Sequence, residues 1–266
     1  MRWAACIEYD GTAYHGWQSQ PHASNIQDRV EWALSQVADA PIRVAASGRT
    51  DAGVHAEYQV LHFDTEVQRP QRAWLLGCNR YLPADVAMLW TLPVDDAFHS
   101  RYSALARDYR YWISDRVAPP ALWRRRAYHS HYALDAEAMH TAAQALLGEQ
   151  DFSAFRAAAC QSNSPWRNVH QVRVARCHHW IRVDIRANAF LHHMVRNIVG
   201  SLLQVGDGRR PPQWIDQLLA GRDRRKAGIT APPQGLSLRY VHYPERFALP
   251  GHRNRGGECC CRVCAG

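Results

Sequence analysis

Apolar and polar residues alternate along this chain with periods that change from strand-like to helix-like. Residues 2–9 place Trp3, Ile7 and Tyr9 on one face, which is typical of a half-buried strand. A helix is predicted next, because Ser24 begins an S-x-x-Q capping pattern ahead of an apolar stripe. The other elements predicted for the first half are strands over 42–45, 58–63 and 86–92 and a short helix over 70–76.

The second half of the chain shows roughly the same order of elements. Ile181, Val183 and Ile185 alternate with charged residues, which favours an antiparallel strand with one face in water. The segment 190–203 follows a helical period instead. The remaining predictions are strands over 109–113, 169–175 and 239–243 and helices over 135–147 and 211–221.

These patterns predict an α+β protein with two sheet-and-helix subdomains that flank a basic central cleft. Each subdomain is expected to be roughly β-α-β-β-α-β and mainly antiparallel. We place the N-terminal subdomain, with the candidate catalytic loop, at 1–100 and the C-terminal subdomain at 101–246. Residues 247–266 have no periodic apolar pattern and are predicted to form a disordered tail that contains cysteines.

Composition and charge narrow the class of protein. With 47% hydrophobic and 21% charged residues, the chain is predicted to be a folded, soluble protein. No run approaches the ~18 apolar residues that cross a bilayer, and Glu8 precedes any possible signal-peptide core. We therefore expect a cytoplasmic protein without a membrane partner.

The basic residues suggest a polyanionic partner. Lys and Arg number 32 against 24 acidic residues, a net charge of +8, and all except Lys226 are arginine. The guanidinium fork pairs with phosphate oxygens and stacks on bases, which suits nucleic acid. Composition alone does not establish a nucleic-acid partner, because a preference for arginine also arises from a bias of the whole genome.

One polar loop between two predicted strands combines groups that could carry chemistry. It contains Arg49 and Asp51, flanked by Gly48 and Gly53. In an extended backbone, an i, i+2 pair lies on one face, where the guanidinium favours an ionised carboxylate that can act as a nucleophile. The alternative is structural, with Asp51 capping a turn and Arg49 forming a surface ion pair. Spacing alone does not choose between them.

The loop sequence GRTDAGVH, residues 48–55, resembles the GRTDxGVH signature of the tRNA pseudouridine synthase A family. Other segments resemble further blocks of that family, in the same order, from about residue 2 to residue 246. They are EYDG at 8–11, GWQ at 16–18, FHSRYSA at 98–104, YRY at 109–111, FSAF at 152–155, PWR at 165–167, ANAFLHHMVRN at 187–197 and GLSL at 235–238.

The resemblance implies an isomerase that converts uridine in the tRNA anticodon stem-loop to pseudouridine. By this resemblance, Asp51 is the catalytic carboxylate, while Tyr109 and Arg49 bind the substrate. The route remains open between attack on the ribose C1′, attack on the uracil C6 and a glycal-type path. The family also implies a homodimer that binds tRNA and needs no metal or redox cofactor.

Structural interpretations stand beside these assignments. Tyr109 and Tyr111, two apart on a strand, could be core aromatics on one face. Arg196 could supply a second cation to the site or lie on a helix surface. The adjacent His192 and His193 would point about 100° apart on a helix, which disfavours a shared metal ion.

Two further features of the sequence have open interpretations. The basic runs Arg124 to Arg126 and Arg222 to Lys226 could contact phosphates or form a solvated charged face. The cluster from Cys259 to Cys264 departs from the family pattern, and its single C-x-x-C spacing leaves a zinc site underdetermined.

Two other classes of function compete with the synthase. A non-catalytic RNA-binding protein would use the same arginines, but it would not need Asp51. A glycoside hydrolase would usually need a second carboxylate as the acid, and the sequence shows no paired acidic motif near Asp51.

Overall fold

The computed structural model describes residues 1–251, and the chain divides by its internal contacts into two units. Unit 1 contains Met1–Arg107 together with the described residues from Ser237 onward, and unit 2 contains Asp108–Leu236. The sequence predicts a boundary between the two subdomains after residue 100 and the end of the second subdomain at residue 246. The predicted tail starts at residue 247, and its residues from 252 on, including its cysteines, lie outside the described part of the chain. Within the described part, Phe247 is buried against Phe98 in unit 1.

Unit 1 has the predicted order β-α-β-β-α-β, followed by one strand from the end of the chain. Its sheet order is β4-β1-β3-β10, with β2 also paired to β3. The β1–β3, β1–β4 and β2–β3 pairs are antiparallel, and β10 runs parallel to β3. The elements are β1 (Arg2–Tyr9), α1 (Ile26–Ala38), β2 (Val44–Ala46), β3 (His55–Asp64), α2 (Gln71–Tyr81), β4 (Val86–Val94) and β10 (Leu236–His242).

The core of unit 1 forms where α2 packs on the sheet. Trp74 of α2 is fully buried and lies against Trp3 of β1 and Phe63 of β3, with ring centroids 5.9 and 5.3 Å away. Ala4 and Cys6 on the other face of β1 are also fully buried. Strand β1 is therefore buried on both faces rather than half-buried, and both of its edges are paired, one to β3 and the other to β4.

The start of α1 differs by one residue from the predicted capping pattern. Asn25 is the N-cap, since its Oδ1 accepts the backbone N–H of Asp28 at 2.9 Å and its Nδ2 donates to the Asp28 carboxylate. The reciprocal pair is thus Asn25 with Asp28. The predicted partner Gln27 instead accepts hydrogen bonds from the side chain of Gln18 and the backbone of Ser19.

Unit 2 contains more strands than the pattern predicted. Its sheet order is β5-β9-β8-β7, and the short strand β6 pairs parallel to β5. The β7–β8 and β8–β9 pairs are antiparallel. The elements are β5 (Ala106–Ser114), β6 (Tyr128–His129), α3 (Ala136–Ala143), β7 (Gly148–Asp151), β8 (Trp166–Cys177), β9 (Trp180–Ala187), α4 (Met194–Gly206) and α5 (Trp214–Gly221).

The predicted α+β class and mainly antiparallel pairing are confirmed, whereas the central cleft stays a prediction. The sequence pattern missed β6 and β7, which are too short to show a period. It also assigned β10 to the second half, whereas β10 pairs with β3 of unit 1. Among the described residues, no helix is long and apolar enough to span a bilayer.

Unit 1 contains a buried histidine whose titration should affect stability. His62 is 6% exposed, and burial, with His99 and Arg2 nearby, lowers its pKa from 6.5 to about 4. Because the folded pKa is below the unfolded one, folding favours the neutral ring. The associated stability is present above pH 6.5 and is lost as the pH falls from 6.5 through 4.

We therefore predict that the free energy of unfolding falls more steeply with decreasing pH in the native chain than in His62→Gln. The difference should reach at most about 1.4 kcal/mol per pH unit between pH 6.5 and 4, the slope for one proton. Denaturant titrations across this range measure it, and His15→Gln controls for the loss of an exposed imidazole. Equal slopes for His62→Gln and the native chain would contradict the prediction.

Candidate active site

The candidate catalytic loop of unit 1, residues 47–54, connects β2 to β3 and is held at its start by buried polar groups. The buried Ser47 donates its backbone N–H to Val60 O at 2.8 Å and its hydroxyl to the Gln59 side chain. Gln59, also fully buried, donates from its amide nitrogen to Gly48 O at 2.7 Å. Both ends of the Gln59 amide therefore bind the first two residues of the loop.

Arg107 supplies a further contact at the start of this loop. Its guanidinium donates from Nη2 to Ser47 O at 2.9 Å and to Arg101 O at 2.8 Å. One planar group thus connects two backbone segments of unit 1 that are far apart in sequence. The sequence patterns did not predict this role, because Arg107 has no local spacing relation to residues 47–54.

The centre of the loop packs directly against the segment that follows β1. Thr50 is 6% exposed, its hydroxyl shares a hydrogen bond of 2.8 Å with the Tyr9 hydroxyl, and its carbonyl accepts the Trp17 N–H at 3.0 Å. Gly16 has φ +90°, and a Cβ added there would lie 2.5 Å from Thr50 O. Only glycine allows this approach without displacing the backbone beside Asp51.

The end of the loop is fixed in the same way. Asp51 O accepts the Val54 N–H at 3.1 Å, and Tyr14 O accepts the Gly53 N–H at 3.2 Å. Gly53 has φ +76°, which a turn of this shape requires. A Cβ on Gly11 would lie only 2.0 Å from Val54 O. The backbone on both sides of Asp51 is therefore supported by segments that contain close-packed glycines.

The structure places the two charged residues of the loop differently. Asp51 is half-buried at the start of the turn, while Arg49 is exposed. In the described part of the chain, Arg49 has no ion-pair partner, so the pair with Asp51 expected from the i, i+2 spacing is not formed. An i, i+2 pair lies on one face only in an extended backbone, and residues 49 to 51 belong to no strand. The Arg49 guanidinium is thus open to solvent.

In unit 2, Tyr109 lies on β5 and is half-buried, with its ring edge-to-face against Phe190 at 5.0 Å. Tyr111, on the same face of the strand, is fully buried and donates its hydroxyl to Pro232 O at 2.7 Å. Burial raises the Tyr111 pKa, which keeps this donor protonated. Tyr111 is therefore a core aromatic residue, whereas Tyr109 keeps part of its ring accessible.

Ion pairs on both sides of Tyr109 hold β5 against β9. Arg186 donates from Nε and Nη2 to the two oxygens of Asp108, at 2.6 and 2.9 Å. Arg110 binds both oxygens of Asp184 in the same manner, at 2.5 and 3.1 Å. The polar face of β9, expected in water, is therefore covered by bidentate pairs that position the strand of Tyr109.

Helix α4 begins later than predicted. His193 adopts φ +60°, a left-handed conformation that cannot continue a helix, so α4 starts at Met194. His192 and His193 therefore precede the helix, and their rings lie against each other with centroids 3.9 Å apart. Within α4, Arg196 donates from Nε to Ala231 O at 2.8 Å, a contact that holds the segment before β10.

The two basic runs of unit 2 differ in their environments. Arg124, Arg125 and Arg126 are all exposed. In the second run, Arg224 binds Asn197 Oδ1 and Gly228 O, and its burial lowers its pKa. Arg222 and Arg225 in that run face Asp151 and Asp223. The first run therefore offers the more accessible positive charge.

The fold and the loop together define a class of protein. It is an α+β protein in which an aspartate lies in a loop that packs against glycines. Residues 5–103 and 142–244 match the sequence model of a family described as "tRNA pseudouridine synthase". The chain belongs to this family, as its resemblance to the motif blocks predicted.

Individual relatives agree with the family assignment. The chain is 54% identical over 250 residues to "tRNA pseudouridine synthase A" of Actinobacillus pleuropneumoniae, covering 94% of this chain and 95% of the relative. It is 55% identical to the protein of the same name from Shewanella amazonensis, covering 94% and 96%. A chain in the crystal structure of a Cbf5-Nop10-Gar1 complex matches 89% of this chain with 10% identity, at a TM-score of 0.36 and 48% coverage of that chain.

The close approach of Gly16 to the candidate catalytic loop leads to a stability prediction. Gly16→Ala would place a Cβ 2.5 Å from Thr50 O in a strained backbone, so it should destabilise the protein by about 1–3 kcal/mol. Thermal and denaturant unfolding measure this loss. Gly48→Ala is the matched control, because a Cβ at Gly48 meets no described atom within 4 Å. If both variants unfold alike, the backbone contact at Gly16 does not support the loop.

Proposed function

We propose that this chain converts uridine in the anticodon stem-loop of tRNA to pseudouridine, with Asp51 as the catalytic carboxylate. The observation that carries the proposal is the position of Asp51, half-buried at a turn whose backbone is fixed on both sides. A side chain held in this way loses little conformational freedom when it meets a substrate. Membership of the synthase family supplies the substrate class.

The reaction is an isomerisation. The bond between ribose C1′ and uracil N1 breaks, the base rotates, and a bond forms between C1′ and C5, while the C5 proton moves to solvent or to a base and N1 gains one. No electrons are exchanged with a second reactant, so the balance requires no redox cofactor. A carboxylate assists each of the three routes, by attacking C1′, by attacking C6 or by removing a ribose proton.

Tyr109 is proposed to hold the target uracil. A base removed from the RNA stack loses stacking worth a few kcal/mol, which an aromatic face restores in part. The ring of Tyr109 is only half-buried, and the ion pairs on either side fix its strand. Its hydroxyl is a candidate acceptor or donor for the C5 proton.

Arg49 is proposed to bind the RNA near the target nucleotide. It is exposed, two residues from Asp51, and pairs with no carboxylate among the described residues. A guanidinium in this state can bind a phosphate or occupy the space of a displaced base. The exposed Arg124 to Arg126 run is proposed to add phosphate contacts that set affinity rather than sequence preference.

Substitution of Asp51 tests the reaction and its nucleophile. Asp51→Asn removes the charge and keeps the shape, so pseudouridine formation in an unmodified tRNA transcript should fall at least about a thousandfold. Mass-spectrometric mapping of the transcript measures the product, and a binding titration should show tRNA affinity changed by less than about tenfold. A variant that still forms pseudouridine at the native rate would remove Asp51 from this role.

The same assay separates the synthase from the alternative, a non-catalytic RNA-binding protein. If the native chain binds the transcript but forms no pseudouridine without added cofactors, the binding protein becomes the better description. Product outside the anticodon stem-loop would keep the enzyme and overturn the proposed target region.

Two substitutions at Tyr109 distinguish stacking from proton transfer. Tyr109→Phe keeps the ring, so tRNA binding should stay native, while the rate should fall about a hundredfold or more if the hydroxyl handles the C5 proton. Tyr109→Ala should also reduce kcat/KM by about 5- to 150-fold through lost stacking. Native kinetics for both variants would place the uracil elsewhere. Tyr128→Phe, another half-buried tyrosine of unit 2, is the control.

The family resemblance also leads us to propose a homodimer that acts in the cytoplasm and shares each tRNA between two subunits. Small-angle scattering at micromolar protein should then give twice the 30.3 kDa chain mass. A monomeric mass under these conditions would overturn the dimer and leave the proposed reaction intact.

A further inference from the structure

We propose that His99, Arg101 and Tyr102 form a second RNA-binding site in unit 1, which stacks an unpaired nucleotide of the tRNA other than the target uridine. This stacking site rests on the proposed function for the identity of its RNA. It is distinct from Asp51, Arg49 and Tyr109, and its chemistry is that of a base on an aromatic ring with a cation beside it.

Three rings of unit 1 form a column that leads from the core to solvent. His62 is 6% exposed, and its ring centroid is 4.5 Å from that of His99. The His99 ring in turn lies 4.3 Å from the Tyr102 ring, with planes 32° apart. Tyr102 is 77% exposed, so one face of its ring is supported from within and the other faces water.

Hydrogen bonds fix this column before any ligand binds. His99 Nδ1 accepts the backbone N–H groups of Arg101 and Tyr102, at 3.1 and 3.2 Å. His99 N donates to Ser103 Oγ at 3.0 Å, and Ser103 N donates to His99 O at 2.9 Å. Since the ring behind Tyr102 is held by its own turn, a base could stack with little further ordering of the protein.

The charge beside the ring fits a nucleotide rather than an apolar ligand. The Arg101 guanidinium carbon lies over the Tyr102 ring, 5.7 Å from its centroid, and no described carboxylate pairs with Arg101. A base on the open face of Tyr102 would place its phosphate within the reach of such a side chain.

Exposed tyrosines are common, so the surroundings of Tyr102 matter more than its exposure. Tyr81 is 42% exposed but meets Trp32 edge-on, at 85° between planes. Tyr132 is 65% exposed with Arg209 beside it, but Arg209 is paired with Asp207. Tyr102 combines a stacked ring on its inner side with a cation, Arg101, that pairs with no carboxylate in the described part of the chain.

The stacking site is also connected to the catalytic loop. Arg107 donates from the same nitrogen to Arg101 O and to Ser47 O, so one guanidinium supports both the turn of Tyr102 and the start of the loop. A nucleotide on Tyr102 would thus bind a surface that shares its support with Asp51. This arrangement suits a contact that sets the register of the RNA.

Substitutions at Tyr102 and Arg101 test the inference by titration with tRNA transcript. Tyr102→Ala should weaken binding about 5- to 150-fold, whereas Tyr102→Phe should bind like the native chain. In kinetics, KM for Tyr102→Ala should rise more than kcat falls. Arg101→Gln should make the dependence of log affinity on log salt less steep by about 0.7 to 0.9, the value for one phosphate contact. Tyr81→Ala is the matched control and should leave affinity and KM native.

Direct contact is tested by ultraviolet crosslinking, with the crosslinked nucleotide and peptide identified by mass spectrometry. A crosslink of Tyr102 to a nucleotide outside the target position supports the site. Native affinity and KM for Tyr102→Ala would overturn it, as would a native chain that binds no tRNA. If the native chain binds tRNA and forms no pseudouridine, the proposed reaction fails. Weaker binding by Tyr102→Ala would then still support the stacking site.

Discussion

The close contact between the candidate catalytic loop and the segment after β1 is the constraint on which the candidate site depends. Gly11 and Gly16 approach the loop so nearly that a Cβ on either would meet a loop carbonyl, at 2.0 or 2.5 Å. The Thr50 hydroxyl is bound to Tyr9 from the same side. Because backbone packs on backbone here, the carbonyls and N–H groups beside Asp51 have fixed directions, and the carboxylate is presented from a rigid turn.

Each unit uses a different kind of support for its candidate residue. In unit 1, glycines, the Gln59 amide and Arg107 hold a loop by direct contact with its backbone. In unit 2, charged pairs between β5 and β9 hold a regular strand, which then places Tyr109 at the border of the core. The loop can thus carry a reactive group in an irregular backbone, while the strand presents a flat ring.

The net positive charge does not translate directly into an RNA-binding surface. Arg186 and Arg110 are used in ion pairs between strands, and Arg107 and Arg224 bind backbone and amide oxygens. Such arginines stabilise the fold, because a guanidinium can satisfy several acceptors at once. Arg49 and Arg101 are exposed and pair with no carboxylate among the described residues, so they are the stronger candidates for phosphate contacts. Much of the net positive charge is therefore used within the fold rather than for binding.

The sequence by itself determined the α+β class, the order of elements in unit 1 and the family, because periodic patterns and contiguous motifs are local. The motif also located Asp51, Arg49 and Tyr109, whose roles remain proposals. Only the tertiary structure decided that Arg49 stands apart from Asp51, that Arg107 reaches the loop, and that β10 joins the sheet of unit 1. These outcomes depend on contacts between residues tens to hundreds of positions apart, which no local period records. The delayed start of α4 is likewise visible only in the structure, where the left-handed backbone of His193 interrupts the helical pattern.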